Sequence, residues 1–246
     1  MTGVELAIVL TAVVAGSTIK AVTGMGLPVI AIPIASLFVD LDDAVVTIAL
    51  ANVLANGVLA VRERSHLPET RDLPTLAVAG VVGAVIGAFA FVNLPDEPLV
   101  VLLIVAIVGY VVNFFVRPEA TMSPARARRL APAVGVLAGG FQGAIGISGP
   151  IVGSWIHSDR VPRGAHIFSV TSLFLVSGAA QFTVLVANGE LSGRVVASLA
   201  ACVPVLASIP LGTRLRDRVS VRGFDLAVVG VLSVSAVAMA IKTFVA

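Results

Sequence analysis

Charge is scarce in this chain. Asp, Glu, Lys and Arg make up 12% of its 246 residues, where soluble domains carry about 25%. Apolar residues account for 58% and the mean hydropathy is +1.06, which excludes a water-soluble fold. One cysteine, Cys202, lies inside an apolar run; it excludes an intrachain disulfide and reads as core filler. The opening "MTGVE" has no basic n-region, so a cleaved signal peptide is not expected. H-E-x-x-H, a P-loop and an intramembrane carboxylate pair are all missing. Metal hydrolysis and nucleotide-driven transport are therefore not expected, and neither a metal nor a cofactor is called for. The pI near 9.2 comes from loop arginines, which membrane topology explains without nucleic acid.

What the chain does have is long apolar runs, at 44–61, 73–92, 98–116, 164–187, 191–212 and 224–245. Each approaches or exceeds the roughly 20 residues a transmembrane helix needs. Their Ala, Val, Gly and Leu content suits helices packed in lipid rather than alternating barrel strands. The expected fold is an all-α, multi-pass protein of the cell inner (plasma) membrane.

Internal similarity organises these runs. "AVTGMGLPVIAIPIASLFVDLDDAVVTIALANVLANG" (21–57) aligns with "FQGAIGISGPIVGSWIHSDRVPRGAHIFSVTSLFLVSG" (141–178). In each, a first apolar element is interrupted by glycine and proline, and three full runs follow. The expected organisation is a first repeat over 1–116, a cytoplasmic linker over 117–129 and a second repeat over 130–246. Thirteen of fourteen arginines fall in four loops, around 62–71, 117–129, 160–163 and 214–222. Eight simple crossings would split them seven against six across the membrane, against the positive-inside rule. If each interrupted element is instead a re-entrant hairpin, all thirteen share the cytoplasmic face. Residues 4–19 and 27–39 would span only about 24 Å and 20 Å as helix, short of a roughly 30 Å core. The expectation is two inverted repeats, each a broken or re-entrant element followed by three transmembrane helices.

Broken backbone in lipid is tolerated only where protein or a wet cavity surrounds it. In "TGMGLP" (23–28), Gly24 and Gly26 permit positive φ, and Pro28 suits the first turn of a new helix. The second copy offers Gly143, Gly146, Ser148, Gly149 and Pro150. New half-helices beginning near Leu27 and Pro150 would aim positive dipole ends at the membrane middle, an arrangement suited to an anion. Lys20, flanked by apolar sequence, would add a full charge there; the alternative is that it snorkels to the headgroups. Its counterpart in the second half is Gln142. Thr18, Thr23 and Ser148 are candidate hydroxyl donors. Asn52 and Asn56 share one helical face, and Ser172, Ser177 and Gln181 occupy the equivalent stretch of the second half. These line a pocket or bond helix to helix. Gly80, Gly83 and Gly87 read as a close-packing face.

The duplicated breaks "TGMGLP" and "GAIGISGP", the Arg-rich middle loop and the overall length resemble the TauE/SafE sulfite exporter family. The resemblance covers essentially the whole chain. It implies a permease for sulfur-containing anions such as sulfite, sulfoacetate or other organosulfonates, with substrate between Thr23–Pro28 and Gly143–Pro150. Met25 and Leu27 depart from glycine-richer forms of the first motif. The expected partners are a small anion and membrane lipid; a homodimer is left open. A passive anion channel is the nearest rival. An intramembrane serine protease would need Ser148 within reach of His157 or His166, and both histidines lie near the arginine-bearing loop, away from the hairpin tip. Carboxylates stay at helix ends or in loops, Glu5 and Asp225 being nearest the interior, so no proton-relay acid is evident.

Overall fold

The computed structural model describes residues 1–23, 26–116, 123–149, 151–152, 162–215 and 221–244. Among these every regular element is helical: α1 (Gly3–Thr23), α2 (Leu27–Ala35), α3 (Leu41–Arg62), a 3-10 turn (Arg64–Glu69), α4 (Leu73–Asn93), α5 (Asp96–Val116), α6 (Pro124–Ile145), α7 (Arg163–Ala187), α8 (Val195–Leu215) and α9 (Val221–Phe244). Five stretches are long and apolar enough to cross a membrane: Gly3–Ala21, Leu41–Arg62, Leu73–Asn93, Asp96–Val116 and Arg163–Ala187. Val195–Ile209 and Val229–Lys242 are shorter apolar stretches within α8 and α9. The chain is a multi-pass helical membrane protein.

Two boundaries differ from expectation. The first broken element does not stop at residue 19: α1 continues through Lys20 to Thr23. Its 21 residues reach about 31 Å, so length alone no longer argues against a crossing. Its partner α2 is shorter than expected, nine residues ending at Ala35. Likewise the polar stretch 124–129 is not linker but the first turns of α6, with Ser123 at the N-cap and Pro124 in the first turn. Arginine and alanine are good helix formers, and proline is tolerated at that position.

α2 folds back along α1. Leu27 lies against Gly16, while Ile34 shares a groove with Val4, Ala7 and Ile8. α3 and α7 run antiparallel at the centre: Gly57 faces Leu175, Gly178 faces Val53, and His66 just beyond α3 packs on Gly164 at the start of α7. Around this pair α1 packs on α8, α4 on α6, and α5 on α9.

The α4–α6 contact is a seam of small residues. A Cβ added to Gly83 would collide with the Val136 carbonyl, one on Gly87 with that of Gly140, and one on Gly143 with that of Ala84. Large residues point the other way, as Val78, Val82, Ile86 and Phe89 form an exposed stripe on α4. Small residues inside and branched ones outside is the reverse of a soluble helix. It follows from a solvent as apolar as leucine, where dispersion at close backbone approach drives packing.

Apart from Lys20, the described ion pairs lie at two ends. At one, Arg128 pairs with Asp72 at 3.4 Å and the 64–69 turn meets the start of α7. At the other, Arg194 pairs with Asp42, Asp43 and Glu190, and Asp96 faces Asp40, Asp42 and Arg194. Met1 meets Thr47 and the Lys242 ammonium donates to the Ser36 carbonyl near that same end.

Gly83→Ala should destabilise the detergent-solubilised protein by at least about 1–3 kcal/mol, the usual cost of overpacking. Val82→Ala, on the exposed stripe, should change little. Calorimetric unfolding of the two variants checks this, and equal effects would mean the seam is not the packing face.

Candidate functional site

Both interruptions exist, and each rests on a glycine that no other residue could replace without strain. Gly26 has φ 132° and Gly146 φ 71°, values that L side chains rarely adopt. Gly26 is the N-cap of α2, no side chain caps it, and proline stands in the first turn. Gly146 terminates α6, and its N–H bonds back to the Gln142 carbonyl. Helical backbone resumes at Gly149, with the N–H groups of Ile151 and Val152 reaching the Ser148 carbonyl. The second break packs against the first hairpin: Gly146 lies on Ile32 and Gly149 on Val29. Gly24, Met25 and Pro150 fall outside the described residues, as does His157, and of Thr23 only the backbone is described.

Lys20 is fully buried, so its side chain does not snorkel. Its Nζ has no hydrogen-bond partner and stands 5.6 Å from the Phe174 ring centroid. Phe174 is near the midpoint of α7, which puts the ammonium deep in the bundle. A cation over an aromatic face gains about 0.5–2 kcal/mol. Burying an isolated ion costs several kcal/mol. The ring alone does not compensate the charge.

Other expected site residues divide by what they touch. Gln142, Ser148 and Gln181 are buried and bonded together. Ser148 Oγ donates to Gln142 Oε1 at 3.2 Å, Gln142 Nε2 to Gln181 Oε1 at 3.3 Å, and Gln181 Nε2 to the Gly143 carbonyl at 3.1 Å. This network ties the second break to α7. Asn52 and Asn56 are buried, but they bond to each other within α3, through Asn56 Nδ2 to Asn52 Oδ1 at 3.0 Å. Asn52 also lies beside Gly178 of α7. Thr18 and Ser177 donate their hydroxyls to carbonyls of their own helices, so those protons are not free for a ligand. The Ser148 hydroxyl proton is given to Gln142 Oε1.

Phe174 was not among the expected residues. Its signal is present nonetheless, because Phe174, Gly178 and Gln181 recur at i, i+4 and i+7 on one face of α7.

Three features stand out as a candidate site: a buried lysine amino group without a hydrogen-bond partner, a helix start with no side-chain cap, and a buried polar network at the second break. Residues 8–239 match the family Sulfite exporter TauE/SafE. The chain belongs to that family. No curated protein and no solved structure matches it. The TauE/SafE match spans both breaks and Lys20, so the site is built from residues the family match covers.

Replacing Lys20 with methionine, similar in volume and uncharged, should raise the stability of the ligand-free protein by about 1–4 kcal/mol, as swapping buried ions for apolar residues often does. Calorimetry of the parent and Lys20→Met reads this directly. A less stable variant would mean that the ammonium has a strong partner.

Proposed function

We propose that this protein is a secondary transporter, working as an exporter, of a small sulfur-containing anion such as sulfite, sulfoacetate or another organosulfonate. The anion binds midway through the membrane, between the two interrupted elements, in the bacterial inner membrane. One observation carries this reading: a fully buried ammonium without a hydrogen-bond partner, on a residue whose backbone packs against Gly26, the N-cap of α2. A charge so costly is retained in a membrane segment for a functional partner, and an anion is the partner the surroundings can accept. Family membership supports sulfite, and by chemical likeness other sulfur oxyanions and sulfonates, as that anion.

Alternating access is favoured over a passive pore by the pairing of the elements. α1 packs on α8 as α6 packs on α4, α3 pairs with α7, and α5 pairs with α9. That exchange is expected of two inverted repeats with the substrate at their interface. α1 begins at the end that holds Asp42 and Asp43, and α6 at the end that holds Arg128. In this reading the latter end is cytoplasmic.

Two measurements test the proposal. In proteoliposomes, uptake of labelled sulfite should saturate and show counterflow. Lys20→Ala should lower it at least about tenfold, and Lys20→Arg should be partly tolerated, since a fixed cation is retained. Undiminished flux through Lys20→Ala at matched insertion would end the anion-site reading, and flux without saturation would favour a channel. Separately, single cysteines placed at Ser65 and at Ser192 in a Cys202→Ala background should label from opposite faces of the membrane, Ser65 from the cytoplasm. Labelling of both from one face would contradict the topology.

A further inference from the structure

Two buried side-chain polar atoms among the described residues have no hydrogen-bond partner: Lys20 Nζ and Asn56 Oδ1. They are of opposite kinds. An ammonium only donates and an amide oxygen only accepts. The orientation of Asn56 is dictated by its neighbours, because its nitrogen donates to both the Asn52 carbonyl at 2.8 Å and Asn52 Oδ1 at 3.0 Å. Turning the amide over would set oxygen against two oxygens. The acceptor must therefore face away from Asn52.

The helix register puts Asn56 at the depth of the ring that Lys20 faces. In the antiparallel α3–α7 pair, Gly178 lies beside Asn52 and Val53, and Gly57 beside Leu175. Asn56 thus falls level with Phe174, the ring over which Lys20 stands. Gln142 Oε1 and Gln181 Oε1 of the second break each already accept one hydrogen bond, whereas Asn56 Oδ1 accepts none.

We infer that the anion bound at Lys20 carries a hydrogen-bond donor of its own, and that Asn56 Oδ1 accepts from it. The inference rests on the anion-site reading above and narrows its substrate class. The ligand is a monoprotonated sulfur oxyanion or a sulfonate bearing a hydroxyl or ammonium group. A dianion such as sulfate, or an alkylsulfonate, presents acceptors alone. It would leave Asn56 Oδ1 buried and unpaired, and a site built for a donor rejects analogues that lack one.

Two matched pairs of ligands test this on the purified full-length protein in nanodiscs by titration calorimetry at one mildly acidic pH. The first pair is hydrogensulfite and methanesulfinate; the second is 2-hydroxyethanesulfonate and propane-1-sulfonate. Within each, a methyl group stands where the donor was. In at least one pair the donor-bearing member should bind about tenfold tighter or more, the cost of one unpaired buried acceptor. The pair that discriminates tells an acidic oxyanion proton from an organic hydroxyl. Asn56→Leu should erase the difference while keeping affinity for the donor-free member. Equal affinities within both pairs in the parent protein overturn the inference by themselves, whether or not Asn56→Leu folds. If those equal affinities also vanish in Lys20→Met, the anion site stands and only the donor requirement fails. No binding by any of the four removes both readings.

Discussion

An ammonium enclosed by apolar helices, with no oxygen to bond, constrains everything near it. Neutralising it from within would be simple: one aspartate on α3 or α7 would suffice. Instead it stands over the Phe174 ring, which offers a weak attraction and no hydrogen bond. Such a charge is tolerable only if the surrounding fold is stable enough to carry it. That stability comes from elsewhere. The glycine seam between α4 and α6 is placed to supply it, and it also holds the second break in position. Gly143 lies in the seam by its Cα while its carbonyl accepts from Gln181. Close packing, broken backbone and polar wall are therefore one construction.

The distribution of charge at the two ends has a related logic. Among the described residues Arg62, Arg64 and Arg128 lie at one end, and Arg194 is the exception. It stands at the opposite end among Asp42, Asp43 and Glu190, about one-fifth exposed. Burial alone would weaken its hold on the proton, but the two bonded aspartates outweigh that and raise its pKa. Its partners close it into an ionic cluster, and one arginine at that end leaves the proposed orientation by arginine count unchanged. The cluster also ties the start of α3 to the start of α8, fixing one end of the central α3–α7 pair.

Much of this could be read from residue order. Apolar run length located the helices, and the "TGMGLP" and "GISGP" interruptions located the breaks, because glycine at positive φ and proline in a first turn have local causes. The end of α1 was misjudged for a physical reason. Lysine is a good helix former, so a charge inside an apolar run marks function without marking a boundary. The fates of the polar residues were not legible. Asn52 and Asn56 bond within one helix, whereas Gln142 and Gln181 bond between two; both pairs look alike in sequence. Whether a polar group spends its hydrogen bonds on neighbours or keeps one for a ligand depends on packing around it. Phe174 stayed hidden because one aromatic among many apolar residues gains meaning only when a cation stands over it.

The two halves treat equivalent positions differently, and electrostatics gives a reason. A second lysine at Gln142 would add another desolvation cost of several kcal/mol. Two ammonium groups in one buried site would also repel each other, more strongly than in water because the local dielectric is low. A singly charged solute needs only one of them. Glutamine supplies the remaining polarity without charge, and with Ser148 and Gln181 it forms a closed set of bonds that holds its shape whether or not a ligand is present. The open valences, Lys20 Nζ and Asn56 Oδ1, both belong to the first half. In the proposed reading, the second half is a preorganised wall and the first the recognising surface. Such a division would let two related halves hold a small, unsymmetrical anion in a single orientation.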